Sequence, residues 1–139
     1  MRKIFILLAA IALVATGCSK EDEPKFDYDM EILYGKWRVT HVEKEDGSYL
    51  DVTTPIAEVY FEPTYMDFRQ DGSYYGSGFF GNGAGTYIAV DKKITTYVDG
   101  ELYLRYDVLS LTDTNAEVKM YEEEGGTSIK LKVKKLLLQ

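Results

Sequence analysis

Few side chains in this sequence have the types and spacing that chemistry needs. Cys18 is the only thiol among 139 residues, so no intramolecular disulfide can form. It ends the small-residue run Ala15-Thr16-Gly17-Cys18, directly after the wholly apolar residues 4–14. His41 is the only imidazole, and a hydrolytic triad would need it beside a serine and a carboxylate. No Gly-x-Ser-x-Gly stretch supplies that serine. A lone histidine on an alternating strand reads as a core or rim residue, and one imidazole without a free thiolate gives no transition-metal site. Glu122-Glu123-Glu124 before Gly125-Gly126 is the densest acidic cluster. Adjacent strand residues diverge and the spacing fits no calcium loop, so it reads as a solvated turn. Gly76-Ser77-Gly78-Phe79-Phe80-Gly81 fits the dinucleotide glycine pattern formally. That chemistry needs a helix N-terminus aimed at the pyrophosphate, and Asn82-Gly83-Ala84-Gly85 cannot open a helix. The residues therefore predict no catalytic set, no metal and no cofactor, and the protein is expected not to be an enzyme.

The chemistry that remains is at Cys18. Met1-Arg2-Lys3 supplies a positive start, residues 4–14 are too short to cross a hydrocarbon core as a helix, and small residues follow. This is the three-part pattern of a secretory signal peptide over residues 1–17. In ending at Gly17-Cys18 it resembles the signals of bacterial lipoproteins, which implies that the Cys18 sulfur takes a diacylglycerol before cleavage leaves Cys18 first. Several acyl chains hold firmly where one binds only marginally, so Cys18 would be a lasting membrane anchor. Loss of Arg2 and Lys3 with the signal shifts the formal net charge from −7 to −9. That charge disfavours nucleic acid and anionic lipid as partners.

Residues 18–32 are expected to form the lipidated N-terminus and a flexible acidic tether. Ser19-Lys20-Glu21-Asp22-Glu23-Pro24-Lys25 holds nothing to bury. Lysine followed by acids straight after the lipid cysteine resembles the surface-export signal of lipoproteins in one Gram-negative phylum. The resemblance implies the outer face of the outer membrane. Glu31-Ile32-Leu33 reads as a short helical turn closing one end of the domain.

Residues 33–139 are expected to form one domain, all-β, of eight or nine antiparallel strands. Short alternating segments recur with turn signals every 8 to 12 residues or so, and no apolar period near 3.6 persists. Trp37, Val39 and His41 share one face of the first strand. Tyr49 to Val52 is a short strand, and after Thr53-Thr54-Pro55 the pattern resumes weakly at Glu58 to Phe61. Asp71-Gly72 predicts a bulged three-residue hairpin setting Phe68 against Tyr74 and Met66 against Gly76. The Asp91-Lys92 turn sets Tyr87 against Thr96 and Ala89 against Ile94. A second bulged turn at Asp99-Gly100 would put Leu102 and Leu104 on the inner face with Tyr106 and Val108. Leu109 and Leu111 fall out of phase with that row, which predicts a β-bulge near Leu109.

So many tightly connected strands avoid bare edges by closing into an up-and-down barrel. Here Gly35-x-Trp37 on the first strand, Phe68 with Asp71-Gly72-x-Tyr74, Tyr87 and Tyr106-x-Val108 carry a resemblance to bacterial lipocalin-like domains of lipoproteins. Animal lipocalins pack an arginine of the last strand on the tryptophan; the last strand here carries lysines instead. The resemblance implies a non-enzymatic domain that binds a small apolar or amphipathic molecule at the cell surface. Trp37, Phe68, Tyr74, Tyr87 and Tyr106 are the candidate lining residues, although an eight-stranded barrel can equally be filled by its own side chains. The alternative is a monomeric interaction or inhibitor subunit of an envelope complex, docking through exposed aromatic loops around Phe79 and Phe80. A filled barrel separates the two.

Overall fold

The computed structural model describes residues 25–137. The expected signal peptide, Cys18 and the tether up to residue 24 lie outside the described residues. Nine strands are present: β1 (Gly35–Glu43), β2 (Tyr49–Asp51), β3 (Tyr65–Phe68), β4 (Ser73–Ser77), β5 (Gly83–Val90), β6 (Lys93–Val98), β7 (Glu101–Leu111), β8 (Asn115–Tyr121) and β9 (Ser128–Lys135). Two short helices accompany them, α1 (Met30–Leu33) and α2 (Pro55–Tyr60). The sheet runs β2-β1-β3-β4-β5-β6-β7-β8-β9 and closes through a β1–β9 pairing. Eight strands thus form a closed antiparallel barrel and β2 is an extra one, an architecture consistent with a lipocalin-like fold.

The length of β1 makes this possible. One edge pairs with β3 over Gly35 to Arg38 and then with β2 over His41 to Glu43, while the other edge pairs with β9. Closure leaves no long unpaired edge in the barrel. Alternation then sends one side chain of each successive pair inward, so that Trp37, Phe68, Tyr74, Ile94, Tyr106 and Leu131 are all buried in one core. The outward partners on β8 and β9 are Lys119, Lys130 and Lys132. The hairpin registers are those the sequence predicts: Phe68 opposite Tyr74, Met66 opposite Gly76, Tyr87 opposite Thr96 and Ala89 opposite Ile94. Leu109 is the extra residue between the Val108–Val118 and Ser110–Glu117 pairs, and the bulge returns Leu111 to the core side.

Four local expectations are corrected. Asp99-Gly100 is a two-residue turn, with Val98 opposite Glu101 and positive φ at both Asp99 (57°) and Gly100 (79°), the mirror-image geometry that matches strand twist. Leu102 therefore pairs with Tyr97 on the outside, and a bulge just after it brings Leu104 inward and half-buries Tyr103. His41 leaves the face of Trp37 and Val39 because a third bulge, at Thr40, sets it opposite Lys132 and hands the inward place to Val42. The segment from Glu58 is helical. Thr54 caps α2 by accepting from the Ala57 amide at 3.1 Å, and Pro55 at the first helical position has φ preset for a helix.

Packing also begins before residue 33, ahead of the boundary drawn from the sequence. Asp27 and Asp91 bond through their backbones, Phe26 and Tyr28 pack against the core, and the Tyr28 hydroxyl donates to the Val108 carbonyl at 3.3 Å. Two aromatic residues give that stretch an apolar area that a solvated tether would leave in water.

Candidate functional site

The five candidate lining residues all lie in the interior, and Phe68, Tyr74, Tyr87 and Tyr106 touch through their rings and hydroxyls. The Phe68 ring lies 5.5 Å from Tyr74, 5.1 Å from Tyr87 and 6.2 Å from Tyr106, the last two edge-on. The Tyr74 and Tyr106 hydroxyls bond to each other at 3.2 Å, and Tyr87 donates to the Arg69 carbonyl at 2.8 Å. Burial pushes the Tyr74 and Tyr87 hydroxyls up to about 12 and Tyr106 well above its ordinary value. All three are therefore neutral donors and acceptors at physiological pH. Gly76 makes room for this pair, since a Cβ there would stand 2.5 Å from the Tyr74 hydroxyl. The interior retains voids of only about 20 and 10 Å³. A ligand pocket needs roughly 300 Å³ or more. The residues expected to line a chamber fill it instead.

Trp37 lies near the end of the barrel where the chain enters. Its indole nitrogen donates to the Leu33 carbonyl at 2.9 Å, which seats α1 beneath the core. Lys135 of β9 places its ammonium 5.1 Å from the centre of the Trp37 ring and donates to the Ile32 carbonyl. A lysine of the last strand thus provides the cation over the tryptophan. Desolvation pulls its pKa below the ordinary lysine value. Gly35 adopts φ +132°, a region that side chains avoid, and a Cβ on it would come within 3.3 Å of the Lys135 stem. The Gly35-x-Trp37 spacing is thereby explained: the glycine lets the lysine cross to the indole.

At the opposite, distal end lie residues 44–48, 52–64, 78–82, 99–100 and 122–127. Phe80 packs against the core as a cap, whereas Phe79 is 53% exposed. Phe61, which the sequence placed in a weak strand, stacks on Phe79 at 4.5 Å and meets Phe80 edge-on at 5.6 Å. The loop is tied down: the Phe79 amide donates to the buried Thr64 hydroxyl at 2.9 Å and the Gly78 amide to Asn82 at 3.1 Å. His41 lies outside the barrel, opposite Asp51 of β2, with its Nδ1 2.8 Å from the Thr40 hydroxyl. Glu124 is held by Lys93 and faces Arg105 at 4.0 Å, and these cations lower its pKa.

Larger hollows lie on the outer surface and at the barrel mouth. One of about 590 Å³ runs over β5 to β7 between Ile88 and Leu109, another of about 530 Å³ lies beside Tyr34 and Leu137, and a rim cleft of about 350 Å³ opens at the distal end between Phe80, Met120 and Ile129. Among the described residues no three potential ligands gather around a metal position, and no helix is long and apolar enough to cross a membrane. The fold defines the protein as a closed, eight-stranded antiparallel barrel with a filled core. No protein-family model and no curated protein matches the chain.

Proposed function

We propose that this protein is a lipid-anchored, non-enzymatic interaction module. Cys18 holds it on the outer membrane, facing the cell exterior, and it works through protein contacts at the distal end of the barrel. The observation that carries this reading is the packed interior, with voids of about 20 and 10 Å³. Carriage of a small apolar or amphipathic molecule inside the barrel would require Tyr74 and Tyr106 to leave buried positions and break their mutual hydrogen bond. Contacts made from outside require no such change.

The Lys25 carbonyl accepts from the Asp91 amide, so the described chain begins at the proximal end, opposite the aromatic loops. Each acyl methylene buried contributes about 0.8 kcal/mol, enough for several chains to hold permanently. The test pairs a Cys18→Ala variant with a photo-crosslinking residue placed at Phe79 in the anchored protein. The wild type should take up labelled palmitate and sediment with membranes, the variant should do neither, and the Phe79 position should capture a protein. Membrane association of Cys18→Ala refutes the anchor, and an absence of protein adducts at Phe79 refutes the distal contact.

A further inference from the structure

Helix α2 turns its apolar face to solvent. Ile56, Val59 and Tyr60 have the i, i+3, i+4 spacing of a single helical face, and they are 76%, 75% and 79% exposed. The polar side holds the helix to the barrel, where Glu58 accepts from Arg38 at 2.6 Å. More apolar surface is exposed at the same end of the barrel. Phe61, its C-terminal cap, stacks on exposed Phe79 and meets Phe80, and Phe80 forms one wall of the rim cleft whose floor is Leu104, Met120 and Ile129. Exposed apolar side chains grouped at one end in this way mark an interaction site.

The charge around it says what kind of partner fits. The distal loops carry Glu45, Asp46, Glu58, Glu62, Asp99, Glu122, Glu123 and Glu124 against the single cation Lys44. Glu58 is paired with Arg38, and Glu124 with Lys93 and Arg105. The other six are exposed and make no ion pair among the described residues. The proximal loops are mixed, with Lys92 bonded to Asp27 and with Lys25 and Arg69 among their acids. An apolar surface under a field of carboxylates repels anionic lipid headgroups and nucleic acid and attracts cations. From this we infer that the distal end binds a cationic amphipathic peptide segment. Its apolar stripe lies against Ile56, Val59, Tyr60 and Phe79, and its lysines or arginines stand among the unpaired carboxylates. The inference rests on the reading of the barrel as an interaction module and names the chemistry of its partner.

The test uses the full-length protein in zwitterionic lipid nanodiscs, with empty nanodiscs as the reference, and fluorescence anisotropy of a labelled helical peptide. The peptide is built from lysine and leucine at amphipathic spacing and is roughly 18 residues long, five helical turns. A second peptide has glutamate at every lysine position. The lysine peptide should bind saturably and the glutamate peptide at least about tenfold more weakly. Raising salt to about 0.5 M, where the screening length falls to roughly 4 Å, should weaken binding about tenfold. Replacing Ile56, Val59 and Tyr60 together by serine should abolish binding; these side chains are solvent-exposed, and an unchanged circular dichroism spectrum would verify that the barrel is intact. Reversing Glu62, Glu122 and Glu123 to lysine should weaken binding of the lysine peptide and strengthen that of the glutamate peptide.

Equal binding of the two peptides, or binding that survives the serine triple variant, overturns the inference. So does attachment of the distal end to phosphatidylglycerol vesicles without peptide binding. If the lysine peptide fails to bind while the Phe79 cross-linker still captures a protein in cells, the interaction module stands and only its cationic partner falls. Failure of both removes the two readings together.

Discussion

At the scale of single residues, the contact between Gly35, Trp37 and Lys135 shows how a short motif encodes geometry. The glycine is required by its φ of +132° and by the lysine stem that passes over it. Gly35→Ala should cost about 1–3 kcal/mol in urea unfolding, the usual cost of holding a side chain in such a backbone region. A change near zero would show that the strand relaxes without losing the lysine. Tyr74 and Tyr106 share a buried hydrogen bond, so Tyr106→Phe leaves the Tyr74 hydroxyl without its partner and should cost about 1–3 kcal/mol. The same burial makes stability depend on alkaline pH. The hydroxyls of Tyr74 and Tyr87 are raised from 10.0 to about 12 in the fold, so their neutral forms are favoured there. Their contribution is fully present below pH 10 and is lost as pH rises through about 12. The unfolding free energy should therefore fall over that window, with tyrosinate absorbance from the buried rings appearing together with the loss of near-ultraviolet circular dichroism. Ionisation of these rings in a barrel that stays folded would contradict the packing.

At the scale of elements, α2 is the piece most dependent on local signals. It has no buried side chain and is held by its Thr54 cap, by the Arg38–Glu58 pair and by the stacking of Phe61 on Phe79. Thr54→Ala should cost α2 about 0.5–2 kcal/mol. Hydrogen exchange should then quicken at the Glu58 and Phe61 amides, which bond within the helix, while barrel amides keep their protection. Faster exchange throughout the barrel would mean that α2 belongs to the core. The barrel strands were legible because each buries one face, and a period of two cannot slip without exposing it. The Leu109 bulge was legible for the same reason: two leucines fell out of phase with a long apolar row. The Thr40 bulge left no such mark, since Trp37-x-Val39-x-His41 alternates acceptably whether or not the histidine turns outward. At Asp99-Gly100 the dipeptide is compatible with two turn lengths, and the apolar Leu102 favoured the wrong one. α2 was missed because its apolar residues face water, so burial gave no helical period to find; Thr54-Pro55 was its only clear signal.

At the scale of the whole molecule, the barrel is closed and solid, and its two ends differ. The proximal end carries the packed entry of the chain and mixed charge, and the distal end carries exposed aromatic and aliphatic side chains among unpaired carboxylates. The five inward aromatic residues were legible as a set, but their packing was not. Whether such rings line a chamber or close it depends on how the strands stagger and on contacts such as the 3.2 Å bond between Tyr74 and Tyr106, which no alternation pattern states. Selection for a solid core would leave the outer surface as the place where binding evolves. The most direct test of this claim is native mass spectrometry of the protein released gently from cell membranes. The account predicts a mass equal to the chain from Cys18 onward plus its acyl groups, with no further small molecule retained. A stoichiometric apolar ligand that travels with the folded barrel and leaves only on unfolding would contradict it.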